Sequence, residues 1–180
     1  MLIKLISMKK KSYIIGIFWM VVTSFFFVGV FITVKYIGSE VPASQSAFLR
    51  YLFATIILLP IILKSLRNTD KSLMKTFFIR GFFHAIGVTL WFYSMTVITI
   101  AEVTAIGFLT PIFVCIGASL LFKEKIIGFR LFAIFISFIG AIIILRPGFK
   151  LFETGHGCML FAAFVFSFSY LIAKLVSEHK

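Results

Sequence analysis

Acidic side chains are nearly missing from this sequence. Its 180 residues hold six Asp and Glu against 18 Lys and Arg, and Asp70 is the single aspartate. No carboxylate stands at the centre of an apolar run. There is no His-Glu-x-x-His pair, no Gly-x-Ser-x-Gly elbow and no Gly-rich loop ending in Gly-Lys-Ser/Thr. Cysteine is scarce as well: Cys115 and Cys158 fall at different expected depths, so they read as small packing residues and not as a disulfide. No Cys/His cluster has metal-ligand spacing. Charged residues make up only 13% of the chain, about half the usual share of a soluble domain. These absences argue against an enzyme, an ATP-driven pump, a metal site and a bound cofactor. They also exclude a soluble domain, a secreted module and a disordered tail.

What the chain has in excess is apolar surface, 61% hydrophobic residues with 25 Phe. No water-soluble fold of this length could hide it. A hydrocarbon core of about 30 Å needs about 20 apolar residues as helix. Six runs meet or approach that length: 14–34, 43–63, 80–98, 102–122, 127–146 and 155–176. Residues 1–12 and 177–180 flank them, and the one sizeable connection is the basic stretch 64–80. Runs such as Ile142-Ile143-Ile144-Leu145 lack the alternation of a membrane barrel strand. The expected fold is therefore an all-α integral membrane protein with six transmembrane helices. The N-terminal lysines followed by an apolar run imitate a signal peptide, but the run is too long for one and reads as an uncleaved first helix.

The charge follows the topology. Threading the six helices places fourteen of the 18 Lys and Arg on one side and four, Lys35, Arg50, Arg146 and Lys150, on the other. The positive-inside rule then sets both termini in the cytoplasm. The net charge of +12 needs no nucleic-acid partner to explain it.

Ionisable and aromatic side chains within the apolar runs are the functional candidates. Arg50 precedes Lys64 by fourteen residues, about 21 Å of helix, which puts it beneath the outer headgroups. Its guanidinium is suited to fork onto a substrate carboxylate; the competing readings are an interface anchor or a structural partner of Glu102. His84, Gly87, Trp91 and Met95 follow at spacings of 3, 4 and 4 and share one helix face, with Tyr93 on another. Trp91 and His84 could stack on and hydrogen-bond an organic solute. His84, one turn from Arg80, also reads as an interface residue, and Trp91 as packing. Pro111 has no N–H for the carbonyl of Gly107, so a kink is expected there, serving a solute, a hinge or packing alone. Glu102 reads as a proton site at the outer mouth or as a solvated helix end.

The sixth run echoes the first. Gly16 to Lys35 and Gly155 to Lys174 are both separations of 19, each around a Ser- and Phe-rich middle. A copy that follows five helices enters the membrane in inverted orientation, as in many secondary transporters. Phe48-Leu49-Arg50-Tyr51, Arg80-Gly81, Tyr93-Ser94-Met95, Pro111, Lys123-Glu124-Lys125, Gly140 and Arg146-Pro147 occur in an order and spacing that resembles the EamA-type members of the drug/metabolite transporter superfamily. Within that superfamily, Arg80-Gly81, Trp91, Tyr93 and Leu145-Arg146-Pro147 are similar to transporters of S-adenosylmethionine type. The resemblance implies a five-helix EamA repeat over 13–147 followed by the first helix of an inverted second repeat. It also implies a central cavity lined by Arg50, Trp91, Tyr93 and Pro111 and faced by Tyr170. The expected activity is secondary transport of a small organic metabolite, S-adenosylmethionine being the candidate, across the inner membrane. The expected partners are that metabolite, membrane lipid, and a second copy of the chain or a complementing C-terminal fragment. The absent last four helices raise the alternative of an inactive truncated or split-gene product. No acid occurs in the first run, unlike small multidrug exporters of the superfamily, which argues against their proton-for-cation mechanism.

Overall fold

The computed structural model describes residues 2–38, 40–66, 70–123, 128–145 and 152–178, with side chains described within 14–38, 40–65, 70, 73–123, 128–129, 131–140, 142–143 and 152–177. The motif residues Glu124, Lys125, Arg146 and Pro147 lie outside the described residues. Seven helical segments follow one another: α1 (Leu2–Ile37), α2 (Ala43–Leu66), α3 (Lys71–Val97), α4 (Ile100–Gly107), α5 (Thr110–Phe122), α6 (Gly128–Leu145) and α7 (Thr154–Glu178). Since α4 and α5 form one bent span, the protein is all-α, with six rods among the described residues. Among these residues five spans are long and apolar enough to cross a membrane: Ile14–Ile37, Ala43–Ser65, Leu73–Val97, Ile100–Phe122 and Thr154–Ser177. The remaining rod, α6, has 18 residues, about 27 Å of helix.

The basic stretch 64–80 is shorter as a connection than its charge suggests. Helix α2 runs on to Leu66, and α3 already begins at Lys71. The segment after Asp70 contains neither Gly nor Pro until Gly81, so nothing interrupts the helix. Its 27 residues span about 40 Å, so its first turns extend past a hydrocarbon core of about 30 Å. That leaves Lys71 and Lys75 at the aqueous end.

The bend in the fourth span arises where the missing proline donor predicts it. The N–H of Phe108 donates to the Thr104 carbonyl at 3.1 Å, but that of Leu109 reaches only to Ile106 at 2.9 Å. The N–H of Ile112 turns to Leu109 at 3.0 Å instead of continuing the α4 ladder, and Pro111 occupies the first turn of α5. Proline is tolerated there because a first-turn N–H has no helical partner to lose.

The chain divides into two units, residues 1–37 and 38–180. The first is α1 alone. Its consecutive Phe18, Trp19 and Met20 and Phe25, Phe26 and Phe27 make it apolar around its circumference, the pattern of a helix immersed in lipid. Its hydroxyls bond back one turn: Thr23 to the Trp19 carbonyl at 2.8 Å, Ser24 to Met20 at 2.9 Å and Thr33 to Gly29 at 2.8 Å.

The second unit is organised by the antiparallel pairing of α3 and α7. Phe83 stacks on Phe168 with centroids 5.7 Å apart, Gly87 lies under the ring of Phe166, and Gly155 packs on Val97 and Ile98. Together these three contacts fix one register. Association in lipid relies on close packing and not on the hydrophobic effect, and small residues supply it. A β-carbon on Gly87 would stand 2.7 Å from the Phe166 ring, and one on Gly117 of α5 would collide with Leu171. Val88, Met95, Val103, Ala162 and Ala163 form the dry centre of this packing. Helix α7, read from sequence as the start of a second repeat, therefore packs within the helices that precede it. Helix α2 lies along α3, and α6 along α4.

Candidate substrate site

Arg50 lies two turns into α2, about 10 Å from its N-terminal end. Its guanidinium carbon is 5.9 Å from the Tyr51 ring centroid, 5.9 Å from Trp91 and 5.8 Å from Phe92. Trp91 and Phe92 come from α3, so the cation bridges the two helices through aromatic faces, an attraction that strengthens where water is excluded. The aromatic contacts leave hydrogen-bonding capacity unused: Nη1 of Arg50 is buried without a hydrogen-bond partner among the described residues.

Two neighbours share that condition. The Tyr51 ring meets His84 edge-on at 6.4 Å between centroids, and the Tyr51 hydroxyl and His84 Nδ1 are both buried and unpartnered among the described residues. His84 in turn lies 5.3 Å from the Phe166 ring of α7. One turn toward the N-terminus on the same α3 face, Arg80 Nε is also buried and unpartnered among the described residues, as is Ser169 Oγ on α7. Leaving one buried donor unmade costs about 1–3 kcal/mol, and native structures hold few of them. Of these, Arg50, Tyr51 and His84 are linked by ring contacts and form a cluster able to donate to a buried acceptor.

A second feature lies on the far side of Phe166. A cavity of about 730 Å³ opens among α4, α5, α6 and α7, lined by Gly107, Thr110, Pro111, Ser137, Phe166 and Tyr170 among others. Its volume falls in the range of small-molecule sites. The bend at Pro111 forms part of its wall. Toward the C-terminal ends of α5 and α7, Lys174, which also lines it, holds its Nζ 4.8 Å from the Phe122 ring centroid.

The residues expected from sequence therefore separate into groups. Arg50, Trp91 and His84 gather around Tyr51. Pro111 and Tyr170 line the cavity. Tyr93 joins neither group: its hydroxyl is 3.1 Å from Thr154 Oγ1, tying the C-terminal end of α3 to the N-terminal end of α7. Phe166, which touches His84 and lines the cavity, was not legible as a site residue, and neither was Tyr51. The sequence signal for Tyr51 was its place beside Arg50. Phe166 could be found only through the register against Gly87.

Glu102 differs from the solvated helix end that was one reading of it. It is 4% exposed. Its Oε2 accepts from the Thr99 N–H at 2.9 Å and the Thr99 hydroxyl at 2.7 Å. Its own N–H returns to Thr99 Oγ1, completing a capping box at the start of α4. Its Oε1 lies 3.9 Å from His156 Nε2. The N–H of Glu153 donates to His156 Nδ1 at 3.1 Å, which leaves Nε2 as the protonated nitrogen facing the carboxylate. This cluster closes α4 onto the N-terminus of α7. Cys115 is buried and Cys158 half-buried, both as free thiols.

The helices so arranged define a multi-pass α-helical membrane protein. Residues 14–146 match the EamA-like transporter family, and the chain belongs to that family, within the drug/metabolite transporter superfamily. It is accordingly a transporter-family protein and not a member of an enzyme family. Among its relatives, the S-adenosylmethionine uptake transporter of Rickettsia prowazekii is 28% identical over 167 residues, 91% of this chain and 56% of the relative. That of Rickettsia bellii is 29% identical over 165 residues, 91% and 57%. The riboflavin transporter of Brucella anthropi is 33% identical over 111 residues, 59% of this chain and 38% of the relative. The chain thus spans about half the length of the curated relatives it matches. No solved structure matches it.

Proposed function

We propose that the protein takes part in secondary transport of a small organic metabolite across the inner membrane, with both termini in the cytoplasm. Arg50, boxed by Trp91, Phe92 and Tyr51, engages the solute together with His84. The cavity bounded by Pro111 and Tyr170 supplies room for its passage or for a lipid-facing closure. The observation that carries this reading is the buried, unpartnered guanidinium nitrogen at hydrophobic depth, in a chain that belongs to a transporter family. S-adenosylmethionine is the first candidate, because its uptake transporters align over 91% of this chain. Riboflavin is the second. The orientation rests on the distribution of Lys and Arg.

Uptake into proteoliposomes tests the proposal. Labelled S-adenosylmethionine and riboflavin, with a wider metabolite panel, are presented to vesicles containing the chain and to empty vesicles. Saturable uptake of one compound above the empty-vesicle level is expected. Uptake equal to that of empty vesicles for every compound would reject the proposal.

A further inference from the structure

The chemistry of the unpartnered atoms around Tyr51 restricts what the site can hold. Arg50 Nη1 can only donate. The Tyr51 hydroxyl has a proton to donate, and His84 Nδ1 donates in one of its two neutral tautomers and in the charged form. All three are buried without a hydrogen-bond partner among the described residues. Contacts link them in a row, Arg50 to Tyr51 and Tyr51 to His84, and Arg80, also with a buried unpartnered nitrogen, lies one turn further along α3. Donors and positive charge accumulate there with no matching acid found beside them among the described residues. Of the carboxylates in the described spans, Glu102 is committed to Thr99 and sits against His156. A donor-rich, desolvated cluster is complementary to an oxyanion, and a guanidinium is shaped to bind a carboxylate through two parallel bonds. The walls are aromatic, from Trp91, Phe92 and Phe166, which suits an organic body carrying the anion better than a small inorganic ion.

We infer that the site recognises its solute by a carboxylate, held by Arg50 with Tyr51 and His84 as further donors, with the organic body against the aromatic walls. This rests on the transport-site reading above and extends it to a substrate class. Tyr51 becomes a specificity residue, and a carboxylate-bearing solute is preferred over a neutral one such as riboflavin.

The test is equilibrium binding to the full chain in detergent. Trp91 fluorescence reports it in a Trp19→Phe background, Trp19 being the other tryptophan. The probes are S-adenosylmethionine, its decarboxylated form and riboflavin. The decarboxylated form is expected to bind about tenfold or more weakly, the effect of losing a charge-assisted hydrogen bond in a dry site. Arg50→Gln should reduce that preference to about threefold or less. Tyr51→Phe guards against a folding artefact: it removes a hydroxyl with no partner, so ligand-free thermal stability should hold or rise while the preference shrinks. Equal affinity for the carboxylated and decarboxylated probes would overturn this inference and leave the transport-site reading standing. Tighter binding of riboflavin than of S-adenosylmethionine would overturn it as well. Binding of none of the three would overturn both.

Discussion

At Gly87 the ring of Phe166 lies 2.7 Å from where a β-carbon would stand, whereas at Gly81, on the same helix, nothing lies within 4 Å. The two glycines should respond oppositely to the same substitution. Gly87→Ala must displace the ring and with it the contact to His84, at a cost of about 1–3 kcal/mol. Gly81→Ala adds a methyl to open space and favours the helix by up to about 1 kcal/mol. Thermal unfolding in detergent would separate them, and a smaller ring-side neighbour, Phe166→Leu, should recover part of the Gly87→Ala loss. Residue chemistry also marks the limit of reading from sequence. Arg50, His84 and Trp91 were legible because charge and aromaticity are unusual inside apolar runs and because helical spacing aligns them. Tyr51 and Phe166 were not, since their roles depend on which helix lies opposite. Glu102 read equally well as a solvated end, because only the fold brings His156 to it.

The bend between α4 and α5 is the element most open to test. Pro111→Ala restores an N–H that could reach the Gly107 carbonyl and lets the span straighten. The expected result is higher thermal stability with lower uptake, since the wall of the 730 Å³ cavity is formed at that bend. Unchanged uptake would show that the bend serves packing alone. The start of α4 makes a separate prediction. Thr99→Ala removes the hydroxyl that caps the helix and holds Glu102, and should cost about 1 kcal/mol of stability. At this scale the existence of each helix was evident from its apolar length. The early start of α3 was hidden because its first turns are basic, and charge was taken as a mark of a loop although Lys is a good helix former.

For the whole molecule, the distribution of basic residues predicts an orientation, proposed above, that labelling can check. In a background lacking Cys115 and Cys158, Asp70→Cys should react with an impermeant thiol reagent only from the cytoplasmic side, and Glu40→Cys only from the outer side; both positions are exposed. The reverse pattern would contradict the topology. The number of helical rods among the described residues was readable from composition, since lipid leaves few alternatives to a spanning helix. The packing of α7 was not, because close contact in lipid is decided by small residues such as Gly87 and Gly117 meeting particular rings and branches across the interface. If Arg50 and its aromatic box form the solute site, as proposed, substitution during transport will show it. Labelled S-adenosylmethionine uptake is compared for wild type, Arg50→Ala and Trp91→Ala in proteoliposomes at matched protein content. A loss of about tenfold or more is expected for Arg50→Ala and a smaller loss for Trp91→Ala; equal uptake by all three would place the solute elsewhere.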